Sequence, residues 1–376
     1  MENEKSRRPA DTPFKQQRMT AWQPVLTPIK VILIFFVIGI VFIPVGITLL
    51  DESNSIYEKT VVYDGDSVDV TGCGIQTANE GKPCTISIDI DEDVDGPVYV
   101  YYQLENFYQN HRRYVKSRSS NQLQGTSGLS SNDVSSDCDP LHQNGSLLLN
   151  PCGLIANSLF NDVIDLTTTT LTSGGSVSLD ESGISWQSDR DVKFNNVDGF
   201  AEVVVDVTTY NAWAANPEDT CTANGLETDC ERYYDSSLDK YYLYWYPDNA
   251  NTQYLYESYP KVVSPIEGVE NEHFIVWMRT AGLPTFRKLY GKIDSDLKKG
   301  DTLDFEMDLN FEVDSFDGSK ALVISTLGDF GGKNSFLGIS YIVVGSISLL
   351  LGVLFALKQA INPRHLGDTR FLGWNN

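Results

Sequence analysis

Hydrophobic positions along this chain fall into two kinds of pattern. The first is unbroken: after Lys30, residues 31–50 carry no charge, and residues 336–357 form a second charge-free run. Twenty residues at about 1.5 Å each reach roughly 30 Å, the depth of a bilayer core. Transmembrane helices are therefore predicted at 29–50 and 336–357. The second pattern is alternation, which begins near residue 60. In 304–314, Phe305, Met307, Leu309, Phe311 and Val313 face one way, with acids or Asn between them. That is a strand with one wet face, as antiparallel sheets have. Similar patterns predict strands at 86–91, 98–104, 201–209, 238–246 and 322–327, punctuated by turn signals at Asp64-Gly65, Asp198-Gly199 and Asp317-Gly318.

Three segments break the rhythm. Residues 101–117 are rich in aromatics and charge. Residues 151–165 space Leu154, Ser158, Phe160 and Ile164 as a helix would. Residues 272–293 start as a strand and become a helix candidate past Pro284. Residues 118–137, rich in Ser, Asn, Gln and Gly, read as a loop. The fold class that follows is a membrane protein with two transmembrane helices and a large, mainly-β domain, antiparallel and sandwich-like, with helical insertions.

Charge orients these parts. Of 28 Lys/Arg and 51 Asp/Glu, residues 1–50 hold six basic and three acidic, and residues 358–376 hold three basic and one acidic. The middle is left with 19 basic against 47 acidic residues. Basic tails and an acidic middle place both termini in the cytosol and 51–335 in a lumen or outside the cell. The division expected is a cytosolic arm (1–28), a helix (29–50), a lumenal or extracellular domain (51–335), a helix (336–357) and a cytosolic tail (358–376). The first run is too long for a signal-peptide core and no small-x-small site follows it, so it reads as an uncleaved anchor. The arm lies along anionic headgroups or is disordered; composition allows both.

All six cysteines lie in the middle. An even number in a disulfide-permissive compartment suggests three bridges. Pairing in order closes short loops and gives Cys73 with Cys84, Cys138 with Cys152, and Cys221 with Cys230. With no C-x-x-C and no His pair at ligand spacing, zinc is not expected. Asn144-Gly145-Ser146 is a glycosylation sequon inside the 138–152 loop.

Little in the chain promises catalysis. Asp91-Glu92-Asp93-Val94-Asp95-Gly96 opens like an EF-hand loop, but Tyr102 stands where the bidentate Glu belongs, so it reads as a solvated turn. Asp329-Phe330-Gly331 spells a kinase triplet with no other kinase element beside it. G-x-S-x-G, H-E-x-x-H and Walker A patterns are missing, and the histidines number four. No enzyme activity, cofactor, metal or nucleic-acid partner is expected.

What stands out is suited to docking. Arg112, Arg113, Lys116 and Arg118 form a basic cluster in an acidic domain, and Arg279, Arg287, Lys288 and Lys292 a second. Each set either meets an acidic partner or pairs with the domain's own acids. Gly39 and Gly46 in the first run, and Gly338, Gly345 and Gly352 in the second, recur every seven residues. Such a line makes a smooth face for close helix packing, either on each other or on a third protein.

Several blocks resemble one family. They are Arg7-Arg8-Pro9 with Phe14-Lys15-Gln16-Gln17-Arg18, Tyr108-Gln109-Asn110-His111-Arg112-Arg113-Tyr114-Val115, Pro151-Cys152-Gly153-Leu154-Ile155-Ala156-Asn157-Ser158, Trp277-Met278-Arg279-Thr280-Ala281, Leu283-Pro284, Phe286-Arg287-Lys288-Leu289-Tyr290-Gly291 and Asn362-Pro363. The chain is similar, nearly end to end, to the cell-division-cycle-fifty family, the beta subunits of type-IV P-type ATPases that flip lipids. The resemblance implies a noncatalytic subunit, heterodimeric with the ATPase, which escorts it out of the endoplasmic reticulum and supports movement of membrane phospholipids to the cytosolic leaflet. It implies residence in the endoplasmic reticulum, Golgi, endosome or plasma membrane. Contacts with the ATPase are expected from the arm (Phe14, Lys15, Gln16, Gln17, Arg18), from the five glycines, and from Arg112, Arg113, Arg279, Arg287 and Lys288. Where relatives often carry nested cysteines around the first loop, and several sequons, this chain has only Cys73 and Cys84 there and one sequon. The rival readings are a two-pass cell-surface receptor or adhesion protein acting through its acidic sandwich, and a lumenal carbohydrate-active enzyme.

Overall fold

The computed structural model describes residues 9–20, 27–172 and 175–363. Arg7, Arg8 and the tail beyond residue 363 lie outside the described residues. Two compact units are present, one built on the terminal helices and the other on Ile56–Lys333. The long helices are α1 (Pro28–Ser55) and α2 (Ser335–Ile361). Both outrun their charge-free cores, and α1 carries Pro44 inside it. Asn334 caps α2 by accepting from the Phe336 N–H at 3.0 Å, and its own N–H reaches the Ser53 hydroxyl at 2.9 Å. That bond ties the start of one helix to the end of the other.

Among the described residues, the second unit forms thirteen strands. In chain order these are β1 (Glu58–Asp64), β2 (Lys82–Asp89), β3 (Val98–Glu105), β4 (Gln143–Asn144), β5 (Leu147–Asn150), β6 (Val163–Thr170), β7 (Ala201–Val205), β8 (Glu231–Asp235), β9 (Lys240–Trp245), β10 (Thr252–Tyr254), β11 (Phe286–Ile293), β12 (Thr302–Leu309) and β13 (Ser319–Ser325). One sheet is ordered β1-β13-β3-β11 and another β2-β12-β6, both antiparallel throughout. Val98, Val100, Tyr102 and Leu104 of β3 share one core with Ile86 and Ile88 of β2 and Leu303, Phe305, Met307 and Leu309 of β12. The alternation that predicted these strands is the alternation of buried and exposed positions seen in them. Two small three-stranded sheets, β7-β9-β8 and β10-β5-β4, flank the sandwich, the latter with one parallel pair.

Several expectations need correction. The strand expected over 201–209 ends at Val205, because Asp206 caps a helix, Val207–Trp213, by accepting from the Thr209 N–H at 2.7 Å. The loop expected over 118–137 holds single helical turns at Ser120–Leu123 and Ser131–Val134. Residues 304–314 do not form one strand: β12 stops at Leu309, because the N–H groups of Asn310 and Phe311 turn to the Asp162 carboxylate at 2.6 and 2.7 Å. Residues 151–165 hold a single 3-10 turn, Ala156–Ser158, before β6 begins. Asn157 donates its side-chain amide to the carbonyls of Pro151 and Gly153, and Phe160 leaves to stack on Tyr102 at 3.8 Å. Residues 272–293 run in the opposite order to that expected, with a helix (Glu272–Met278) first and β11 second. Asn271 caps that helix by accepting from the Phe274 N–H, and Pro284 falls in the loop before the strand.

The disulfides close Cys73–Cys84, Cys138–Cys152 and Cys221–Cys230, with Cα separations of 5.3, 5.7 and 5.7 Å. At the heart of the sandwich lies a charge. Lys320 of β13 is fully buried, and its ammonium meets Asp162 at 2.8 Å, Asp64 at 3.2 Å and the Phe311 carbonyl at 2.5 Å. Asp162 also accepts from the Tyr63 hydroxyl at 3.1 Å. Burial, with Asp162 next in effect, pushes the Tyr63 phenol well above its ordinary range, so it stays a donor. Lys320→Met leaves two buried carboxylates uncompensated and is expected to cost about 3–5 kcal/mol. Denaturation of the full chain in detergent measures this; a loss under about 1 kcal/mol would remove the cluster from the stability argument.

Candidate partner-binding surfaces

The five glycines of the helix pair are all buried, and each faces the other long helix. A Cβ on Gly46 would sit 2.8 Å from the Gly338 carbonyl oxygen and 2.9 Å from the Ile342 nitrogen, and one on Gly338 would sit 2.8 Å from the Leu50 nitrogen. Those are backbone atoms that cannot rotate away. At Gly39 the overlap is with the Leu349 side chain, and at Gly345 with Ile43. At Gly352 the nearest atoms, on Phe35 and Phe36, are 3.4–3.5 Å away, which is ordinary contact. The rings of Phe42 with Tyr341 and of Phe35 with Phe355 pack beside this line. Large side chains such as Val37, Ile40, Ile347 and Leu350 lie exposed on the outer faces. The line of glycines therefore joins α1 to α2, and those outer faces are what the pair offers to lipid or to another protein.

The N-terminal arm folds into a turn over residues 12–18. Gln16 and Arg18 donate their N–H groups to the carbonyls of Thr12 and Pro13, Lys15 donates its N–H to the Thr12 hydroxyl, and Arg18 pairs with Asp11. Gln17 takes a positive φ of 53° to close the turn. The result presents Phe14, 77% exposed, with Met19 exposed beside it.

The two basic clusters part company. Arg112, Arg113, Lys116 and Arg118 are exposed on and after a short helix, Arg112–Lys116. Only Arg113 has an acid near it, Asp139 at 3.4 Å; the other three side chains have no ion pair among the described residues. Their backbone is fixed from below. The Ser117 hydroxyl donates to the Cys138 carbonyl and accepts from the Leu154 N–H, and Tyr114 bonds Ser158 at 2.7 Å. The Cys138–Cys152 loop thus holds the patch rigid. Tyr108 and Leu283, 56% and 69% exposed, flank it, brought together by Asn110 donating to the Gly282 carbonyl. Sequence reasoning missed these two as surface residues, because apolar character gives no sign of exposure. An arginine patch with a large aromatic and an aliphatic side chain has the composition of a docking site.

The second cluster is engaged internally. Arg287 forms a bidentate pair with Glu58 at 2.7 and 3.0 Å and donates to Gln103. Arg279 bonds the buried Asp189 at 2.5 Å and stacks over the exposed Trp186 at 4.6 Å. Lys292 pairs with Asp180 and Asp294. Lys288 lies in the interior, where its ammonium caps the end of helix Glu272–Met278 by donating to the carbonyls of Val276, Trp277 and Arg279. That ammonium faces no surface on which a partner could dock. Among the described residues, no group of three His, Cys, Asp or Glu side chains is placed to hold a metal. The Asp93 carboxylate of the EF-hand-like turn instead accepts from the Lys299 N–H at 3.0 Å.

Residues 49–365 match the LEM3 (ligand-effect modulator 3) family / CDC50 family. The chain belongs to the CDC50 family. It is 37% identical to "ALA-interacting subunit 3" of Arabidopsis thaliana, over 98% of this chain and 91% of that protein. It is 39% identical to "Cell cycle control protein 50A" of Mus musculus, over 93% and 88%. Against "Phospholipid-transporting ATPase accessory subunit CRF1" of Saccharomyces cerevisiae it is 31% identical, over 99% and 90%. With two helices long and apolar enough to cross a bilayer, this CDC50 family member is an integral membrane protein.

Two predictions follow from this geometry. Gly46→Ala and Gly338→Ala should loosen the helix pair by about 1–3 kcal/mol, and Gly352→Ala should leave it nearly unchanged. Yields of oxidative crosslinking between F35C and F355C read this directly, since the chain has no free cysteine to interfere; equal yields in all three backgrounds would refute it. The second concerns pH. Burial, and then Arg279, push Lys288 down to about 7 from 10.5. The unfolded chain then holds more protons than the folded one between those values. Stability should rise as pH climbs from 7 to 9, by about 2 kcal/mol from this group, and be flat in this respect below 7. Lys288→Met should abolish that rise in thermal melts, and an unchanged profile would show that other groups cause it.

Proposed function

We propose that this chain is the noncatalytic accessory subunit of a phospholipid-transporting type-IV P-type ATPase. It binds the catalytic subunit as a heterodimer, supports its exit from the endoplasmic reticulum and its stability, and enables it to move phospholipids to the cytosolic leaflet. Residues 1–28 and 358–376 are cytosolic, and 51–335 are lumenal or extracellular. The observation that carries this reading is near-full-length similarity to a protein named as such an accessory subunit. The absence of a nucleophile or metal-ligand pattern in the sequence, the exposed Phe14 arm and the exposed basic patch, in which only Arg113 has an acid beside it, support it. The basic tails and the positive-inside rule support the topology.

In the proposed complex, Phe14 to Arg18 touch the cytosolic side of the ATPase. The outer faces of α1 and α2 pack on its membrane helices. Arg112, Arg113, Lys116 and Arg118 meet acidic lumenal loops, with Tyr108 and Leu283 as apolar anchors. Electrostatic steering of that kind speeds docking and weakens with salt.

The test is affinity purification of the full chain in mild detergent, followed by mass spectrometry. An ATPase of phospholipid-transporting type should co-elute. Replacing Arg112, Arg113 and Lys116 together by Glu should reduce its recovery at least tenfold, since like charges across an interface cost several kcal/mol. A chain that elutes alone, as a single species, sinks the proposal. Topology has its own check at Asn144, which is exposed beside the β4–β5 turn. Asn144→Gln should abolish an endoglycosidase-sensitive gel shift, and a wild-type chain with no such shift in secretory membranes would remove the support this sequon lends to a lumenal middle.

A further inference from the structure

We propose that the cleft between α1 and α2 at the end bearing Pro28 and Asn362 binds an anionic phospholipid. Lys358 takes the phosphate there, and Val31, Ile32 and Phe355 receive the root of an acyl chain. This inference rests on α1 and α2 spanning a membrane and is independent of the ATPase partnership.

The sequence explains why a cleft opens at this point. Seven residues before Gly39 stands Ile32, and seven after Gly352 stands Gln359. The glycine line that lets the helices touch thus ends in two larger side chains, and both of them line the cleft. The Phe35 and Phe355 rings, 5.6 Å apart, pack between the helices at this end. The space between is about 310 Å³, within the range of small-molecule sites.

Its lining is graded. Val31, Ile32 and Phe355 make an apolar wall; Lys358, Gln359 and Asn362 make a polar mouth. Lys358 is exposed in the last turn of α2 and has no ion pair among the described residues. Among the described residues no carboxylate lines the cleft, and the charges borne by the two helices at this end are Lys30 and Lys358, both positive. The mouth lies where both charge-free runs stop, which is headgroup depth in a bilayer. An amphiphile with a phosphate above and hydrocarbon below matches this gradient. An ammonium among neutral amides favours a headgroup of net negative charge.

The test uses the full chain in nanodiscs doped with photoactivatable lipids carrying the reactive group near the glycerol. Three are compared: phosphatidylserine, phosphatidylcholine and diacylglycerol. Phosphatidylserine should label peptides containing Val31, Ile32 or Phe355 about fivefold more than diacylglycerol does, with phosphatidylcholine between. Lys358→Gln should bring phosphatidylserine down to the diacylglycerol level, whereas Lys358→Arg and Lys30→Gln should retain it. Equal labelling by all three lipids, or labelling unchanged in Lys358→Gln, overturns the proposal. So does full competition by soluble glycerophosphoserine, which would make this a bare anion site. Labelling of the isolated chain that disappears once a partner co-purifies also overturns it, in favour of a partner helix as the occupant.

Discussion

An ammonium with no access to water sits where the two main sheets meet, and much of the domain is arranged so that it can. Lys320 belongs to β13, Asp64 ends β1, Asp162 directly precedes β6, and Phe311 follows β12. One side chain therefore ties strands of both sheets and the loops between them. A buried ion pair is seldom a source of net stability over an apolar equivalent, since desolvation offsets the attraction. Its effect here is selective: only the register that brings all four groups together leaves none of them unpaired. The same demand explains why β12 ends early, since Asp162 draws two N–H groups out of the ladder.

The unit formed by the helices follows a different rule. In lipid the hydrophobic effect does not drive helices together, so association depends on close backbone approach. The glycines supply that approach, with Gly46 and Gly338 nearest. Because the glycines join the chain's own helices, any partner in the membrane has to read other faces. The rigid arginine patch and the turn presenting Phe14 then become the other surfaces with recognisable docking chemistry. Both are short segments with fixed backbones, which lowers the entropy cost of association.

Local signals were legible in the sequence and distant pairings were not. The charge-free runs, the alternation of β12 and the short cysteine loops depend on residues near in sequence, and each has its counterpart in the fold. The helix and strand of 272–293 were exchanged because residues 274–278 are five apolar residues in a row, and so short a run does not separate a strand from a helix by pattern. The basic residues at 279, 287 and 288 looked like a surface because their partners are remote. Asp189 and Glu58 lie 90 and 229 positions away, and the carbonyls that Lys288 caps belong to a helix the pattern had not revealed. The cluster at 112–118 read the same way in sequence, and what separates the two in the fold is that only Arg113 there has an acid beside it, the exposed Asp139.

The strand order carries a consequence for biosynthesis. β13 is the last strand to be made, yet it lies between β1 and β3 and is buried along its whole length. The four-stranded sheet cannot close, nor can Lys320 reach Asp64, until residues 319–325 have left the ribosome. Pairing across more than 250 residues, as between Glu58 and Ser325, is entropically slow. An incomplete chain therefore exposes unpaired β1 and β3 edges, the kind of surface that chaperones bind. Completion of the domain is thus deferred until synthesis reaches the second membrane helix, so a truncated product reveals itself by what it leaves open.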